Sequence, residues 1–173
     1  MFEEPISITT DSHAFEQANG PKLNYSSQDL TGHHLSIHPV DLLFESGIRP
    51  QTIHCFTTNG QVAFFSTTGD LPFDIFAASF YLLSRYEEYL PHEKDEYGRY
   101  GHTNSLAFRE GFLDQPLVNY WLKHFKEVLV QKFPGLLFRK TNFKCILSYD
   151  IDIAWSYLHK GFVRTAGALA GVF

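Results

Sequence analysis

The longest apolar pattern in the chain lies between residues 74 and 90 and reads DIFAASFYLLSRYEEYL. Apolar side chains fill most of its first half, so they fall on more than one face of a helix. The pattern therefore predicts a central, buried helix over 74–90 that begins at the N-cap Asp74 and stops before Pro91. Two neighbouring apolar stripes of this helix are predicted to be buried, one formed by Phe76, Phe80 and Leu83 and the other by Ile75, Leu82 and Tyr86.

Short β-rich runs precede this helix. Asn59-Gly60 separates the runs 52–57 and 61–66, and this dipeptide between β-rich segments predicts a hairpin. Further strands are predicted at 6–10, 22–26 and 35–38, and one or two helical turns at 12–18. Strands that lead into a buried helix predict a sheet with a helix packed on its face.

Two more segments of regular structure are predicted after the helix. Apolar residues at helical spacing indicate a second helix over 116–132, ended by Phe133-Pro134-Gly135. Residues 143–149, FKCILSY, predict a strand, and a helix is predicted from residue 153 onward. The fold class is therefore α/β, a mixed β-sheet with packed helices followed by the first β-α unit of another domain. We place the first domain at 1–142 and a truncated second domain at 143–173.

Composition narrows the function classes. The formal net charge is −5 and Lys and Arg form no run, which argues against nucleic-acid and membrane partners. No stretch reaches the roughly 18 apolar residues of a membrane span, and the acidic N-terminus differs from a secretory signal. Cys55 and Cys145 are expected to be buried free thiols. These features predict a cytoplasmic location.

Asp150 and Asp152 form the first candidate site, directly after the predicted strand 143–149. Residues two apart in a strand project to the same side, so both carboxylates could face one divalent cation or act as a ligand and a base. The alternative is that the strand simply ends there and one aspartate caps the following helix.

A second candidate is a polar cluster at the end of the predicted helix and in the loop 91–105. It could line a groove, or it could be a salt-bridge network that orders the loop. Its members are Arg85, Glu87, Glu88, Asp95, Arg99 and His102.

His34 and His38 have a spacing that would suit zinc on a helix. Leu35, Ile37 and Pro39 favour a strand instead, which would separate the two imidazoles. We therefore do not expect a metal site there.

Several motifs in this order resemble a bacterial polysaccharide deacetylase-like family of the Bacteroidetes type. They are PFDIFAASFYLLSRYEEYLPH, DEYGRYGH, SLAFREGFL, QPLVNYW and SYDIDIAWSYLHKG. In that family an N-terminal domain of unknown function precedes a carbohydrate-esterase homology domain. The resemblance covers about residues 6–165 and implies that a (β/α) barrel-like domain begins after residue 143.

The resemblance also implies a catalytic arrangement. Asp150 would be the catalytic base and Asp152 the ligand of zinc or a similar divalent metal, together with two histidines of a later H-x-x-x-H. The metal would polarise an acetamide carbonyl and activate water. This sequence departs from the family pattern because Ile151 separates the aspartates and only His159 follows them. No tightly bound metal is therefore expected in this chain alone.

The sequence thus supports two expectations. In the first, the chain is the accessory N-terminal domain of a metal-dependent deacetylase-like hydrolase, inactive alone, whose partners are the rest of that domain and acetylated carbohydrate. In the second, it is a non-catalytic carbohydrate- or protein-binding module that uses Tyr97, Arg99 and Tyr100 and is attached to a degenerate barrel. The sequence leaves open whether the chain is itself a free-standing enzyme that uses the charged groove.

Overall fold

The computed structural model describes residue 2, residues 5–139 and 143–150, and residues 161 and 166. The chain divides into two compact units, Met1–Arg139 and Lys140–Phe173. The first unit is mixed α/β, as the apolar patterns predict. The domain boundary that we place between residues 142 and 143 stays a prediction.

The strands of the first unit form two small separate sheets rather than one continuous sheet in the part of the chain described. Strands β1 (Leu23–Asn24) and β2 (Leu35–Ser36) pair in parallel. Strands β3 (Phe56–Thr58) and β4 (Gln61–Ala63) pair antiparallel, with Phe56 opposite Ala63. The predicted strands at 22–26 and 35–38 and the predicted hairpin are therefore confirmed in shortened form.

The hairpin turns at Asn59-Gly60, where both residues have positive φ, 50° and 73°. Two successive positive φ angles define the turn whose twist matches that of the flanking strands, and Asn-Gly adopts it at low cost. The preference of Asn-Gly for these φ angles therefore explains why the turn could be predicted from sequence.

The predicted strand at 6–10 is wrong. These residues carry no helix or strand and all of them are exposed. Ile8 is 92% exposed, and a β-branched segment becomes a strand only when it finds a hydrogen-bonding neighbour and a surface to cover. The predicted turns at 12–18 are confirmed as helix α1 (Ser12–Gln17), which Asp11 caps by accepting from His13 N and Ala14 N.

Helix α2 (Ile75–Leu83) begins where predicted and ends earlier than predicted. Asp74 caps it, because Oδ1 accepts hydrogen bonds from Phe76 N and Ala77 N, both at 3.0 Å. The expected helix to residue 90 is wrong because Arg85 adopts a left-handed conformation with φ 55°. A 3-10 helix, Tyr86–Tyr89, follows at a new angle.

The buried face of α2 also differs from the prediction. Ile75, Ala78 and Tyr81 face the core, whereas Phe80 is 44% exposed and Phe76 is only partly buried. Because α2 is apolar nearly all round, the sequence pattern could not determine which side packs inward. The predicted stripe through Phe76 and Phe80 therefore has to be corrected, although α2 itself does lie in the core.

Two more helices complete the first unit. The predicted helix at 116–132 is confirmed as α4 (Leu117–Lys132), preceded by the short α3 (Leu106–Arg109). Helix α4 buries one residue per turn: Leu117, Trp121, Phe125 and Leu129. Trp121 Nε1 donates a 2.9 Å hydrogen bond to Val62 O, which joins α4 to the hairpin.

Residues 143–150, in the second unit, carry no helix or strand. The strand predicted at 143–149 is therefore not formed, and its apolar side chains, such as Phe143 and Ile146, are exposed. Cys145 is exposed as well, and Cys55 is half-buried, so the expected burial of both thiols is wrong. Apart from residues 161 and 166, the helix predicted from residue 153 lies outside the described residues, and a barrel-like start stays a prediction.

Candidate functional site

Glu87 is the most enclosed member of the predicted polar cluster. Its two carboxylate oxygens accept hydrogen bonds from Leu106 N at 2.8 and 3.1 Å, and Arg109 Nη2 lies 3.6 Å from Oε1. Burial raises the pKa of the Glu87 carboxyl, and the Leu106 N–H and the Arg109 charge oppose that shift. Glu87 therefore acts as a cap for α3 and fastens the segment after α2 to it.

Arg85 and Glu88 flank Glu87 in sequence and pair with each other. Arg85 Nη2 and Nε both contact Glu88 Oε1. The Arg85 side chain is 73% exposed, and pairs in this setting contribute roughly 0–1 kcal/mol. This ion pair closes the left-handed turn at Arg85 and leaves most of the guanidinium in solvent.

Asp95 organises the tip of the loop. Oδ1 accepts from Tyr97 N and Arg99 N, at 2.9 and 2.8 Å, and Oδ2 accepts from Arg99 Nε at 3.1 Å. These bonds, first among them the one from Arg99 N, lower the pKa of the Asp95 carboxyl. The Arg99 guanidinium stacks over the exposed Tyr97 ring at 4.7 Å, so the turn presents a fixed Tyr–Arg pair.

His102 lies further along the loop. It opens the 3-10 helix His102–Asn104, and its ring packs edge-on against Phe108 with centroids 5.1 Å apart. Within the described residues, no hydrogen bond or ion pair joins Asp95, Arg99 or His102 to the helix-end members of the cluster. The six predicted residues thus form local networks that shape the loop, and a ligand groove lined by them stays a prediction.

Tyr81, Tyr100 and Arg109 interact with Glu87, and of these the sequence singled out only Tyr100, as part of the alternative binding module. Tyr81 and Arg109 interact electrostatically with its carboxylate, and burial together with the Glu87 charge raises the pKa of the Tyr81 hydroxyl above its usual range. The Tyr100 hydroxyl is buried and has no hydrogen-bond partner among the described residues. No sequence motif around Arg109 indicates that it pairs with Glu87, because the two residues are brought together only by the tertiary fold.

The predicted catalytic pair lies in the second unit. Asp150 is exposed, and Asp152 lies outside the described residues. Among the described residues, no group of three or more His, Cys, Asp or Glu side chains could hold a metal ion. The roles of Asp150 as base and Asp152 as ligand therefore stay predictions, and the described residues alone do not supply the donor set that zinc requires.

The two histidines with zinc-like spacing lie on either side of β2. His38 Nδ1 is 2.6 Å from Thr68 Oγ1, whereas the His34 ring packs against Phe15. The intervening strand separates them, as the sequence predicts.

Cys55 is unsuited to nucleophilic chemistry. Burial and the negative charge of Glu110 raise the pKa of its thiol to about 11, although Arg109 opposes the shift. At neutral pH the thiol stays protonated, and the thiolate is the reactive form.

An apolar groove of about 390 Å³ lies beside the C-terminal end of α2. Leu43 and Ile48 form one wall, and Phe80 and Tyr89 form the other. All four are exposed, with fractions of 37%, 49%, 44% and 66% in that order. Exposed apolar side chains therefore line both sides of the groove. The sequence did not predict this groove, because it depends on which face of α2 packs inward.

Fold and site together define a small mixed α/β domain whose charged clusters serve its own architecture. Over residues 1–134 the sequence matches the Family of unknown function (DUF7033), and the chain belongs to this family. No curated protein and no solved structure matches the chain. Among the described residues, no helix is long and apolar enough to cross a membrane.

Proposed function

We propose that this chain is the accessory, non-catalytic N-terminal part of a metal-dependent hydrolase of the polysaccharide deacetylase-like type. The order of its motifs supports this proposal. The observation that carries it concerns Glu87. Both of its carboxylate oxygens accept a hydrogen bond from Leu106 N, so the most enclosed carboxylate of the polar cluster is used to cap α3. Asp95 is likewise committed to its own turn.

Catalysis in this proposal belongs to a complete barrel-like domain of which residues 143–173 are the beginning. Asp150 is its base and Asp152 its metal ligand, and acetylated carbohydrate is its substrate. Zinc or a similar divalent metal binds only when later histidines complete the set. A cytoplasmic location is part of this proposal.

The second candidate is a non-catalytic carbohydrate- or protein-binding module attached to a degenerate barrel. The stacked Tyr97–Arg99 pair favours it, because Tyr and Arg in a fixed, exposed arrangement are typical of binding hot spots.

Metal content separates the two candidates. In a longer natural chain that contains a later H-x-x-x-H, Asp152→Ala should remove the bound metal and the release of acetate from acetylated oligosaccharides. Asp114→Ala, at an exposed aspartate of the first unit, serves as the matched control and should change neither. Metal content and activity that are both indifferent to Asp152→Ala would favour the degenerate barrel.

A further inference from the structure

The apolar groove has walls that come from two different segments. Leu43 ends the 3-10 helix Asp41–Leu43, and Ile48 follows it in the next loop, whereas Phe80 lies on α2 and Tyr89 ends the 3-10 helix Tyr86–Tyr89. A cleft between two elements that exposes apolar side chains on both sides is a shape into which an apolar segment can be laid.

Hydrogen bonds hold the two walls in place. The Tyr86 hydroxyl accepts from Arg49 N at 2.9 Å and donates to Arg49 O at 3.1 Å, which ties the loop after Ile48 to the segment after α2. The Tyr86 ring is buried and stacks on Tyr81 with centroids 5.3 Å apart. The groove is therefore preformed, and a partner would not have to order it, which favours binding.

The charge in the groove has one sign. Glu45 is the only charged residue that lines it within the described part of the chain, and Arg49 lies outside the lining. Glu45 Oε2 accepts a 3.0 Å hydrogen bond from Gln51 Nε2, while Oε1 has no hydrogen bond or ion pair among the described residues. A complementary occupant therefore carries a positive charge opposite Glu45.

We propose that this groove binds an apolar polypeptide segment that presents a Lys or Arg side chain to Glu45. The lining favours a polypeptide over a sugar, because the exposed Leu43 and Ile48 offer aliphatic surface, whereas a sugar ring needs several polar partners. The inference goes beyond the proposed function and does not depend on the deacetylase-like resemblance, since it uses only the first unit.

The test uses two synthetic amphipathic peptides as probes, one built from Leu and Lys and the other from Leu and Glu on the same pattern. Each is titrated into the isotope-labelled 173-residue chain while backbone amide shifts are recorded. The Leu/Lys peptide should give saturable shifts centred on Leu43, Ile48, Phe80 and Tyr89, and the Leu/Glu peptide should bind at least tenfold more weakly.

Variants locate the interaction. Tyr89→Ser and Phe80→Ser, both at exposed wall positions, should weaken the Leu/Lys peptide at least tenfold, and Glu45→Gln should weaken it about two- to fivefold, as an exposed ion pair would. Leu122→Ser, at a similarly exposed position on α4, should leave binding unchanged. An unchanged amide spectrum outside the groove shows that each variant is folded. If Phe80→Ser does not fold, Tyr89→Ser alone tests the contribution of the groove wall.

Several results would overturn the proposal. Shifts that map elsewhere, equal binding of the two peptides, or binding unaffected by a folded Tyr89→Ser would each remove its basis. Groove shifts caused by an acetylated oligosaccharide alone would assign the groove to sugar. Concentration-dependent groove shifts without any peptide would assign it to a second copy of the chain. None of these results bears on metal content or acetate release, so the proposed function stands or falls separately.

Discussion

The Tyr25 hydroxyl donates a 2.7 Å hydrogen bond to Asp74 Oδ2, across 49 residues of sequence. The same oxygen accepts from Val40 N at 2.9 Å, while Oδ1 caps α2. Asp74 is fully buried, and its partners are N–H and O–H donors rather than a cation. One carboxylate thus joins the start of α2 to two earlier segments of the chain.

Removal of this hydroxyl should measurably destabilise the first unit. Tyr25→Phe is expected to lower the free energy of unfolding by about 1–2 kcal/mol, because a hydrogen bond to a charged group is lost. Asp74→Ala should cost more, at least about 3 kcal/mol, since it leaves several buried donors without an acceptor. Urea unfolding measures both, with Tyr120→Phe at an exposed position as the control. Equal stability of Tyr25→Phe and the wild type would contradict the arrangement.

A second tertiary contact should make stability depend on acid pH. Lys132 Nζ lies 2.6 and 2.7 Å from the two oxygens of Asp70, and Oδ2 also accepts from Ser36 N. Burial alone would raise the pKa of Asp70, but the Lys132 and Ser36 hydrogen bonds outweigh it and lower the pKa. A carboxyl whose pKa is lower in the folded state than in the unfolded state stabilises the fold at pH values above its unfolded pKa. This stabilisation is lost as the pH falls through the folded-state pKa.

Lys132→Gln should therefore lower the free energy of unfolding by about 1 kcal/mol at neutral pH. The difference should shrink as the pH falls through the lowered pKa of the Asp70 carboxyl, because the ion pair is lost when Asp70 is protonated. Lys123→Gln, at an exposed position on the same helix, is the control. A Lys132→Gln deficit that persists unchanged in acid would show that packing, rather than the ion pair, causes it.

Glu87 should show the opposite dependence on pH. Its pKa is raised, chiefly by burial, so its contribution to stability is largest below the unfolded pKa of the carboxyl and falls as the pH rises through the folded value. Glu87→Gln keeps an oxygen acceptor for Leu106 N but has no carboxyl to ionise. The stability of this variant should therefore vary less than that of the wild type between mildly acidic and neutral pH. Glu87→Ala removes the cap and should cost about 1–2 kcal/mol at mildly acidic pH and less at neutral pH. Thermal melts of the three proteins across this pH range measure both effects. Identical pH profiles would refute the raised pKa of Glu87, and a Glu87→Ala protein as stable as the wild type in mild acid would refute the capping role.

The two faces of α2 should respond differently to truncation. Ile75→Ala is expected to cost about 2–5 kcal/mol, as for a fully buried residue. Phe80 is 44% exposed, so Phe80→Ala should cost clearly less than the about 3–5 kcal/mol typical of a buried phenylalanine. If Phe80→Ala proved as costly as Ile75→Ala, the orientation of α2 described above would be wrong.

The features that could be predicted from sequence are those decided by neighbouring residues. Asn59-Gly60 makes its turn through its own φ angles, and Asp74 caps α2 by accepting from the backbone N–H groups two and three residues ahead. The helix at Leu117–Lys132 was predictable because its buried apolar residues recur once per helical turn.

Other features depend on contacts that no local pattern contains. The segment 6–10 has β-branched residues and lacks a partner strand, and α2 stops short because Arg85 takes a left-handed conformation. The cap that Glu87 provides joins residues 19 apart. The apolar groove depends on which face of α2 packs against the core. The sequence of α2 does not specify that face, because apolar residues occur on several sides of the helix.

The central claim, that this chain is a non-catalytic accessory part, is tested most directly by one measurement on the purified 173-residue protein. Elemental analysis after incubation with zinc and removal of the excess is combined with an acetate-release assay on acetylated oligosaccharides. The account predicts no stoichiometric zinc and no acetate release. One zinc per chain that is lost in Asp152→Ala, together with turnover of the oligosaccharide, would contradict it.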